Sequence, residues 1–299
     1  MIQKSDKILI TGCGGMLGEG VYKCFADAVE VFATDIDLNE PWLAHLDVRD
    51  KTQVDKCLAE IKPDYIAHLA ALTDMEYCER NPENSYATNE QGVKNFADYV
   101  REHNVPFAYI STAGIFDGEK DAYTEDDTPN PLSVYGKSKY AGELTAKTFP
   151  KYVVARAGWM MGGGPVKDKK FINKIIKQMK GGAKELFVVN DKLGTPCYTY
   201  DLASVLFALL DNEKWGVYHG ACKGEGSRAD VARRLVHALG RDEVKVTEVD
   251  SSFFKADYFA PRPRSEVLLN TKLASAGIDI IRDWHECVDE YARKFDWGV

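Results

Sequence analysis

The chain has 299 residues, of which 45% are hydrophobic and 28% charged, a composition typical of a globular protein with a sizeable core. Its 38 basic and 46 acidic residues give a formal net charge of −8 without any basic stripe, so nucleic acid is not an expected partner. The longest charge-free apolar stretch, Val105 to Phe116, is shorter than the roughly 20 residues of a membrane span. We expect no transmembrane helix.

The N-terminus and the cysteines indicate an intracellular protein. The polar residues from Met1 to Lys7 pass directly into a short apolar run, without the apolar core and cleavage site of a signal peptide. The seven cysteines are scattered and include no CxxC pair, so the sequence predicts neither a disulfide framework nor a zinc site. We therefore expect a cytoplasmic location.

The first half of the chain alternates short apolar runs with longer amphipathic stretches, which predicts parallel strands joined by helices. The predicted strands are Lys7 to Thr11, Val29 to Thr34, Tyr65 to Leu69, Phe107 to Ser111 and Tyr152 to Arg156. The predicted helices are Gly15 to Ala26, Thr52 to Ile61 and Pro82 to His103. This order predicts an α/β fold with a Rossmann-type, doubly wound parallel sheet.

Beyond about residue 157 the chain is richer in glycine loops, with isolated strands near Leu186 to Asn190 and Gly216 to His219. Helices are predicted at Lys170 to Lys180, Tyr200 to Leu210, Ala229 to Leu239 and Trp284 to Phe295. We therefore divide the chain into a first domain, residues 1–157, and a smaller C-terminal α/β lobe, residues 158–299, interleaved with it.

Three glycines at three-residue intervals follow the first predicted strand. They are Gly12, Gly15 and Gly18, with Met16 and Leu17 between the second and the third. In a dinucleotide site the first glycine permits a tight turn, the second lets the backbone approach a pyrophosphate, and the third allows close helix–sheet packing. The N–H groups of the following helix also face the anion. The motif predicts such a site, and an ordinary βα turn is the alternative.

The acidic residue expected in a dinucleotide site is also present. Asp35 ends the second predicted strand 23 residues after Gly12, close to the usual spacing of about 20. Its carboxylate would accept hydrogen bonds from ribose hydroxyls and repel a 2′-phosphate, and no arginine lies in the glycine turn or directly after Asp35. The predicted cofactor is NAD(H) or NADP(H), with a modest preference for NAD(H).

Tyr135 and Lys139 are four residues apart, on one face of a predicted helix. The preceding strand ends in Ser111-Thr112, so a hydroxyl, a phenol and an ammonium could converge at the carboxyl edge of the sheet. The ammonium is expected to lower the phenol pKa from about 10 toward neutrality. Tyr135 would then exchange a proton with a substrate oxygen held by Thr112, while Lys139 also bonds the nicotinamide ribose. A solvated lysine and a packed tyrosine are the alternative.

Together with Asp47-Val48 and His68-Leu69-Ala70-Ala71, these motifs resemble the extended short-chain dehydrogenase/reductases. Longer segments resemble the family of dTDP-4-dehydrorhamnose reductases over nearly the whole chain. They are Ile110 to Gly118, Val134 to Glu143, Arg156 to Trp159, Val189 to Pro196 and Arg262 to Ser265, with Asn270 to Leu273 matching more loosely.

The resemblance implies an NAD(P)-dependent oxidoreductase that reduces the 4-keto group of a nucleotide-linked deoxy sugar for cell-surface polysaccharides. Residues 1–157 would bind the cofactor and residues 158–299 the nucleotide sugar, with a homodimer as one possible assembly. The implied cofactor contacts are Asp47 and Val48 at the adenine, Leu69, Ala70 and Ala71 along the cofactor channel, and Asn89 at the start of the helix behind the site. The implied substrate contacts are Thr73, Trp159 and Arg262, with Thr112 and Tyr135 at the reacting oxygen.

Three positions depart from the family pattern. Ala113-Gly114 stand where the reductases usually carry Asp-Tyr, so the pocket wall at the sugar is expected to be more open or differently filled. Arg264-Ser265-Glu266 stand where a polar residue and Asn-Ser are more common. Gly20 stands where some members place a metal-binding glutamate, and we predict no metal.

Two other functions remain open. A nucleotide-sugar epimerase or dehydratase with bound NAD shares the cofactor geometry, although the dehydratases place Asp-Glu where this chain has Ala113-Gly114. A non-catalytic subunit, such as the regulatory subunit of methionine adenosyltransferase, also resembles this family. The presence of Thr112, Tyr135 and Lys139 favours an enzyme.

Overall fold

The computed structural model describes all 299 residues. The strands are β1 Lys7–Thr11, β2 Glu30–Asp35, β3 Ala44–His45, β4 Tyr65–His68, β5 Phe107–Thr112, β6 Tyr152–Ala157, β7 Trp159–Met161, β8 Glu185–Val189, β9 Leu193–Gly194, β10 Pro196–Tyr198, β11 Gly216–His219, β12 Gly226–Ser227, β13 Lys245–Val249 and β14 Ser265–Glu266. The helices are α1 Gly18–Ala26, α2 Lys51–Ile61, α3 Met75–Arg80, α4 Pro82–Tyr86, α5 Gly92–Lys94, α6 Ala97–His103, α7 Val134–Ala146, α8 Gly164–Lys167, α9 Phe171–Lys180, α10 Thr199–Asp211, α11 Arg228–Ala238, α12 Thr271–Ser275 and α13 Trp284–Lys294. A π turn spans Ala87–Gln91, and 3₁₀ turns span Ala113–Ile115 and Ser251–Phe254.

Seven parallel strands form the central sheet in the order β11-β6-β5-β4-β1-β2-β3. The chain runs outward from β1 through β2 to β3 and then returns to β4 on the other side of β1. This reversal between β1 and β4 creates the crevice at the carboxyl ends of the strands where doubly wound sheets bind ligands. The predicted fold class is confirmed.

Helices cover both faces of the sheet because its strands carry apolar side chains on both faces. In β1, Ile8 and Ile10 belong to a core cluster with α1 and α10, whereas Leu9 points to the opposite cluster with α2 and α6. Successive strand residues alternate between faces, so a run without polar residues requires two apolar layers. The stacked helices thereby hold the carboxyl edge of the sheet in a fixed position.

The predicted strands and most of the predicted helices are present, within a few residues at each end, but the sequence did not predict β3, β7, β9, β10, β12, β13 and β14. The single helix predicted from Pro82 to His103 is wrong. The chain there forms α4, the π turn Ala87–Gln91, α5 and α6, with a break at Asn95 and Phe96. The buried Asn89 lies inside the π turn, where its side chain bonds other segments and the helical ladder is widened.

The C-terminal half has its own core cluster, built mainly by α9, α11, α13 and β8. It also supplies β11, which pairs with β6 at the edge of the central sheet, and α10, which packs on α1. The two halves are therefore interleaved in this fold, and the boundary at residue 157 stays a prediction. None of the helices combines the length and the apolarity that crossing a membrane requires.

Candidate active site

The glycine turn packs against the segment that follows β4. A Cβ on Gly12, whose φ is +69°, would lie 2.4 Å from the Ala70 nitrogen, and one on Gly18 would lie 1.8 Å from the Cys13 oxygen. Gly15, by contrast, is exposed, and no side chain caps the N-terminus of α1. Gly12 and Gly18 are thus packed against the protein, whereas Gly15 and the N-terminus of α1 face outward. This arrangement fits a pyrophosphate at the turn.

Asp35 lies beside the same turn. Its carboxylate accepts hydrogen bonds from the backbone N–H groups of Gly14, at 2.8 Å, and Asp37, at 3.0 Å. The Asn39 amide donates to the Gly14 oxygen at 3.0 Å and ties the two segments together. A carboxylate oxygen can accept more than one hydrogen bond, so Asp35 retains capacity for ribose hydroxyls.

A lysine from the C-terminal half reaches the glycine turn. The buried Lys167 places its ammonium 2.8 Å from Glu40 and 5.5 Å from the centre of the Trp42 ring. A Cβ on Gly163 would lie 2.8 Å from Lys167 and 3.2 Å from Met16, so these segments are in close contact. Leu17 is buried beneath them in the core, which leaves Met16 as the partly exposed member of the predicted pair.

Asp47 and Val48, the residues expected near the adenine, are both held by hydrogen bonds within the protein. The Asp47 carboxylate accepts two hydrogen bonds from the Arg49 Nε and Nη2 atoms, and the Arg49 guanidinium lowers its pKa. Val48 is buried against Gly92, and its oxygen accepts from the Asn95 amide at 2.8 Å. Asp47 remains partly exposed, whereas the Val48 side chain packs into the protein.

Leu69, Ala70 and Ala71 follow β4 and are partly exposed along the crevice. Asn89 lies behind them, fully buried, and its amide holds Leu72 through both backbone groups, accepting from the N–H at 2.9 Å and donating to the oxygen at 3.0 Å. The same amide donates to the Ser138 hydroxyl at 2.9 Å. Asn89 therefore connects the channel segment to α7, and it does not begin a helix.

Thr112 and Tyr135 meet at the carboxyl end of β5. The Thr112 hydroxyl accepts the Gly114 backbone N–H at 3.1 Å, which leaves its own hydrogen for an oxygen in the crevice. The same hydroxyl hydrogen-bonds the Tyr135 phenol and lowers its pKa. Ser133 caps α7 by accepting from Gly136 at 3.0 Å and so fixes the turn of helix that carries Tyr135.

The expected lowering of the Tyr135 pKa by Lys139 is wrong for this structure. Burial of the phenol raises its pKa to about 12, because desolvation disfavours the phenolate more than the Thr112 hydrogen bond favours it. The Glu266 carboxylate raises the pKa further. Near neutral pH, Tyr135 is therefore a neutral phenol that can donate its proton.

Lys139 lies one helical turn beyond Tyr135 and is almost entirely buried. Its ammonium lies 4.2 Å from the centre of the Tyr109 ring and makes no hydrogen bond or ion pair with the protein. Burial lowers the Lys139 pKa to about 7, and the negative charge of Glu143 opposes this shift. All of its donors are therefore available to a ligand in the crevice.

On the side of the C-terminal half, Trp159 is held from three directions. Its indole packs so closely on Gly194 that a Cβ there would lie 2.3 Å from the ring, and the Arg228 guanidinium lies 3.8 Å from the ring centre. The indole N–H donates to Glu266 Oε2 at 2.7 Å. Trp159 is thus a rigid, partly exposed aromatic surface that carries a cation and an anion beside it.

The other two predicted substrate residues already have partners in the protein. The Lys170 ammonium donates to the Thr73 oxygen and hydroxyl at 2.9 Å and 3.0 Å. The Arg262 guanidinium lies 2.8 Å from the Glu76 carboxylate. These pairs join the segment after β4 to the C-terminal half across the mouth of the crevice, so a ligand at Thr73 or Arg262 would compete with them.

Sequence reasoning missed Arg228, Lys167 and Lys170, and it mentioned Glu266 only as a departure from the family pattern. None of the four lies in a motif, and three of them are cations in a chain with many lysines and arginines. The only available signal was that Glu266 and Ala113-Gly114 both depart from the family pattern, which could have suggested that they lie together. Their convergence depends on the packing of α8, α9, α11 and β14, which no local pattern predicts.

A separate cavity lies away from the glycine turn and Tyr135 and is not the expected active site. It has a volume of about 740 Å³ and lies at the amino ends of the central strands, lined by residues that include Asp64, Tyr65 and Trp215. Parallel sheets bind their ligands at the carboxyl ends of the strands, where the glycine turn and Tyr135 are.

The doubly wound sheet and the residues at its carboxyl edge are those of an extended short-chain dehydrogenase/reductase. Residues 6–296 match the family described as RmlD substrate binding domain, and the chain belongs to this family. The recognition made from the sequence motifs is confirmed.

Named relatives agree over almost the full length. A dTDP-4-dehydrorhamnose reductase of Aggregatibacter actinomycetemcomitans is 31% identical, with 94% of this chain and 97% of that protein covered. The crystal structure of a dTDP-4-dehydrorhamnose reductase from Clostridium acetobutylicum superposes with a TM-score of 0.87 at 37% identity, covering 95% of this chain and 98% of that one. The reductase of Bacillus anthracis in complex with NADP gives a TM-score of 0.89 at 27% identity, covering 97% and 100%.

Proposed function

We propose that this chain is an NADH- or NADPH-dependent reductase of the 4-keto group of a nucleotide-linked deoxy sugar, in the biosynthesis of cell-surface polysaccharides. The observation that carries the proposal is the arrangement of Thr112, Tyr135 and Lys139 at the same carboxyl edge of the sheet as the glycine turn, with the Lys139 ammonium free to act on a ligand. Membership of a family whose named members are dTDP-4-dehydrorhamnose reductases supports the substrate class.

The residues of the crevice fit a nicotinamide dinucleotide. The exposed Gly15 lets the backbone approach the pyrophosphate, the uncapped N-terminus of α1 offers backbone N–H groups to it, and Asp35 offers its carboxylate to the adenosine ribose. Lys139 would donate to the nicotinamide ribose. When bound in its reduced form, the cofactor supplies the hydride for the carbonyl carbon.

Tyr135 and Thr112 act on the carbonyl oxygen. Thr112 turns its hydroxyl hydrogen from the phenol to that oxygen and holds it, and Tyr135 transfers the phenol proton to it as negative charge develops. The raised pKa of Tyr135 suits this direction, because the phenol keeps its proton until the oxygen becomes basic. Lys139, charged in its protonated form, then stabilises the resulting phenolate.

The cleft beyond Tyr135 suits a nucleoside diphosphate sugar. Arg228 and Lys170 are cations there, and the partly exposed Trp159 adds an apolar contact surface. Burial lowers the pKa of Arg228 to about 10 and also lowers that of Lys170, which indicates that both are poorly solvated and would gain from an anionic partner. Thr73 and Arg262 would join them after leaving Lys170 and Glu76.

The finer assignments rest on individual residues. A modest preference for NADH over NADPH follows from Asp35, whose carboxylate would repel a 2′-phosphate. The Lys167 ammonium lies against Glu40, in the segment that follows β2, and would add a positive charge near the glycine turn. A cytoplasmic location and a homodimeric assembly stay predictions.

The test is a panel of keto-sugar nucleotides incubated with the purified protein and NADH or NADPH, followed by loss of absorbance at the reduced nicotinamide band. We expect stoichiometric oxidation of the cofactor with a dTDP-linked 4-keto-6-deoxy sugar. Product formation without added reduced cofactor would instead identify an epimerase or dehydratase. Absence of turnover together with stoichiometric co-purification of another enzyme would identify a regulatory subunit.

A further inference from the structure

Glu266 places a carboxylate in the space that the small residue Gly114 leaves open. A Cβ built on Gly114 would lie 3.5 Å from Glu266 Oε1, 3.5 Å from Thr112 Oγ1 and 3.7 Å from Tyr135 Cε1. These three atoms therefore surround one point, directly beside the groups that act on the carbonyl. They are the three heavy atoms nearest to that point outside Gly114 and its chain neighbours.

The two oxygens of Glu266 have different surroundings. Oε2 accepts the Trp159 indole N–H at 2.7 Å, whereas Oε1 faces Gly114 and accepts no hydrogen bond from the protein. The carboxylate is partly exposed, so Oε1 is open to a ligand. A free carboxylate oxygen is a strong acceptor for a hydroxyl, and such bonds are stronger than those between neutral groups.

The backbone and its neighbours hold Glu266 in this position. Strand β14 pairs with β9, which sets Glu266 opposite Gly194, the residue against which Trp159 packs. Arg228 lies on the Trp159 ring and interacts electrostatically with Glu266 without forming an ion pair. The carboxylate is therefore fixed by an indole N–H beside a cation, and one oxygen is left for the crevice.

We propose that Glu266 is a specificity-determining residue, whose free oxygen accepts a hydrogen bond from a hydroxyl on the carbon next to the reacting carbonyl of the sugar. Gly114 contributes to the same specificity, because a large side chain at that position would separate Glu266 from Tyr135. The inference rests on the proposed reduction of a keto-sugar nucleotide and adds which sugars are accepted. Sugars that lack this hydroxyl leave Oε1 desolvated without a partner, and the enzyme discriminates against them.

The test compares two substrates on two variants. The substrates are a dTDP-linked 4-keto-6-deoxy sugar with a hydroxyl at carbon 3 and its 3-deoxy analogue. Glu266→Gln retains an acceptor for Trp159 and presents an amide NH₂, a donor, at the position of Oε1. Glu225→Gln, an exposed change in the same half of the chain, is the matched control.

In the wild-type protein and the Glu225→Gln control, we expect kcat/KM to be at least about 10-fold higher for the hydroxylated substrate, a difference typical of one lost hydrogen bond to a charged group. Glu266→Gln should lower kcat/KM for that substrate by about the same factor and leave the analogue within about twofold.

Equal losses for both substrates would show that Glu266 acts only by positioning Trp159, and unchanged kinetics would show that it does not contact the sugar. Either result overturns the inference and leaves the reductase assignment standing. Failure of the wild-type protein to reduce any keto-sugar nucleotide would overturn both.

A second variant, Gly114→Val, should fold, as judged by its melting temperature, and lose turnover of the hydroxylated substrate. Full activity of this variant would contradict the proposed role of the open space.

Discussion

The ammonium of Lys139 lies 4.2 Å from the centre of the Tyr109 ring and forms no ion pair, although Glu143 lies one turn further along the same helix. Glu143 is already bound by Arg156 and by the Ser111 hydroxyl. The π face of Tyr109 compensates only part of the lost hydration of the ammonium. The protein thus keeps a poorly compensated cation in the crevice.

Lys139→Met should stabilise the protein and abolish its activity. The folded-state pKa of about 7 lies below the usual value of about 10.4, so burial of the charged form costs stability in full below pH 7. The cost fades as the pH rises from about 7 to about 10.4. We expect the melting temperature at pH 6 to rise by at least about 2 °C, with a smaller gain at pH 9. A lower melting temperature at pH 6 would show that Lys139 is structurally required.

The same pKa predicts how cofactor binding depends on pH. The Lys139 ammonium would donate to the nicotinamide ribose, so binding favours its charged form, which the free protein loses as the pH rises through about 7. We expect the dissociation constant of NADH, measured by fluorescence titration, to increase several-fold from pH 6 to pH 8.5. Lys139→Met should bind NADH weakly at both values. An identical pH dependence in both proteins would assign the effect to another group.

Tyr135→Phe should lower kcat by at least about 100-fold, the usual contribution of a positioned general acid. The Phe ring fills the same space, so we expect the dissociation constant of NADH and the melting temperature to stay close to those of the wild type. With its pKa raised to about 12, the wild-type phenol should also keep its proton across the neutral range. Wild-type turnover by the variant, with normal cofactor binding, would exclude Tyr135 as the proton donor.

The sequence predicts the sheet and the catalytic trio because both depend on local patterns. An apolar run bounded by glycine identifies β1, and a four-residue spacing places Tyr135 and Lys139 on one helix face. The Tyr135 pKa could not be predicted in this way, because it depends on burial and on Glu266, which is distant in the sequence. The position of Asn89 was predicted wrongly for a related reason, since its hydrogen bonds to Leu72 and Ser138 form only after several segments pack.

Asp35→Ala should reduce the discrimination against NADPH. In this structure the carboxylate accepts N–H groups from Gly14 and Asp37, so its removal also loosens the glycine turn and should weaken NADH binding. We expect the ratio of kcat/KM for NADH to that for NADPH to fall by about 10-fold, the effect of one charged hydrogen bond or repulsion. Asp37→Ala is the control, because that carboxylate makes no hydrogen bond here. An unchanged ratio would remove Asp35 from the ribose site.

The buried pair of Arg156 and Glu143 is expected to hold α7 on the sheet. Both side chains are almost completely inaccessible to solvent, the guanidinium donates to both carboxylate oxygens, and Ser111 adds a third bond at 2.7 Å. Arg156→Met leaves the Glu143 charge buried with only the Ser111 bond, which typically costs about 3–5 kcal/mol. Urea denaturation should show this loss in the free energy of unfolding.

The double variant Arg156→Met, Glu143→Leu removes both charges and should recover at least half of that loss, since two apolar side chains of similar size fill the site. Because α7 carries Tyr135 and Lys139, we expect the single variant also to lower kcat, and the double variant to restore part of it. Equal stabilities of the two variants would mean that the Glu143 charge is neutralised by protonation or by water. In that case the ion pair would not be what fixes the catalytic helix against β5 and β6.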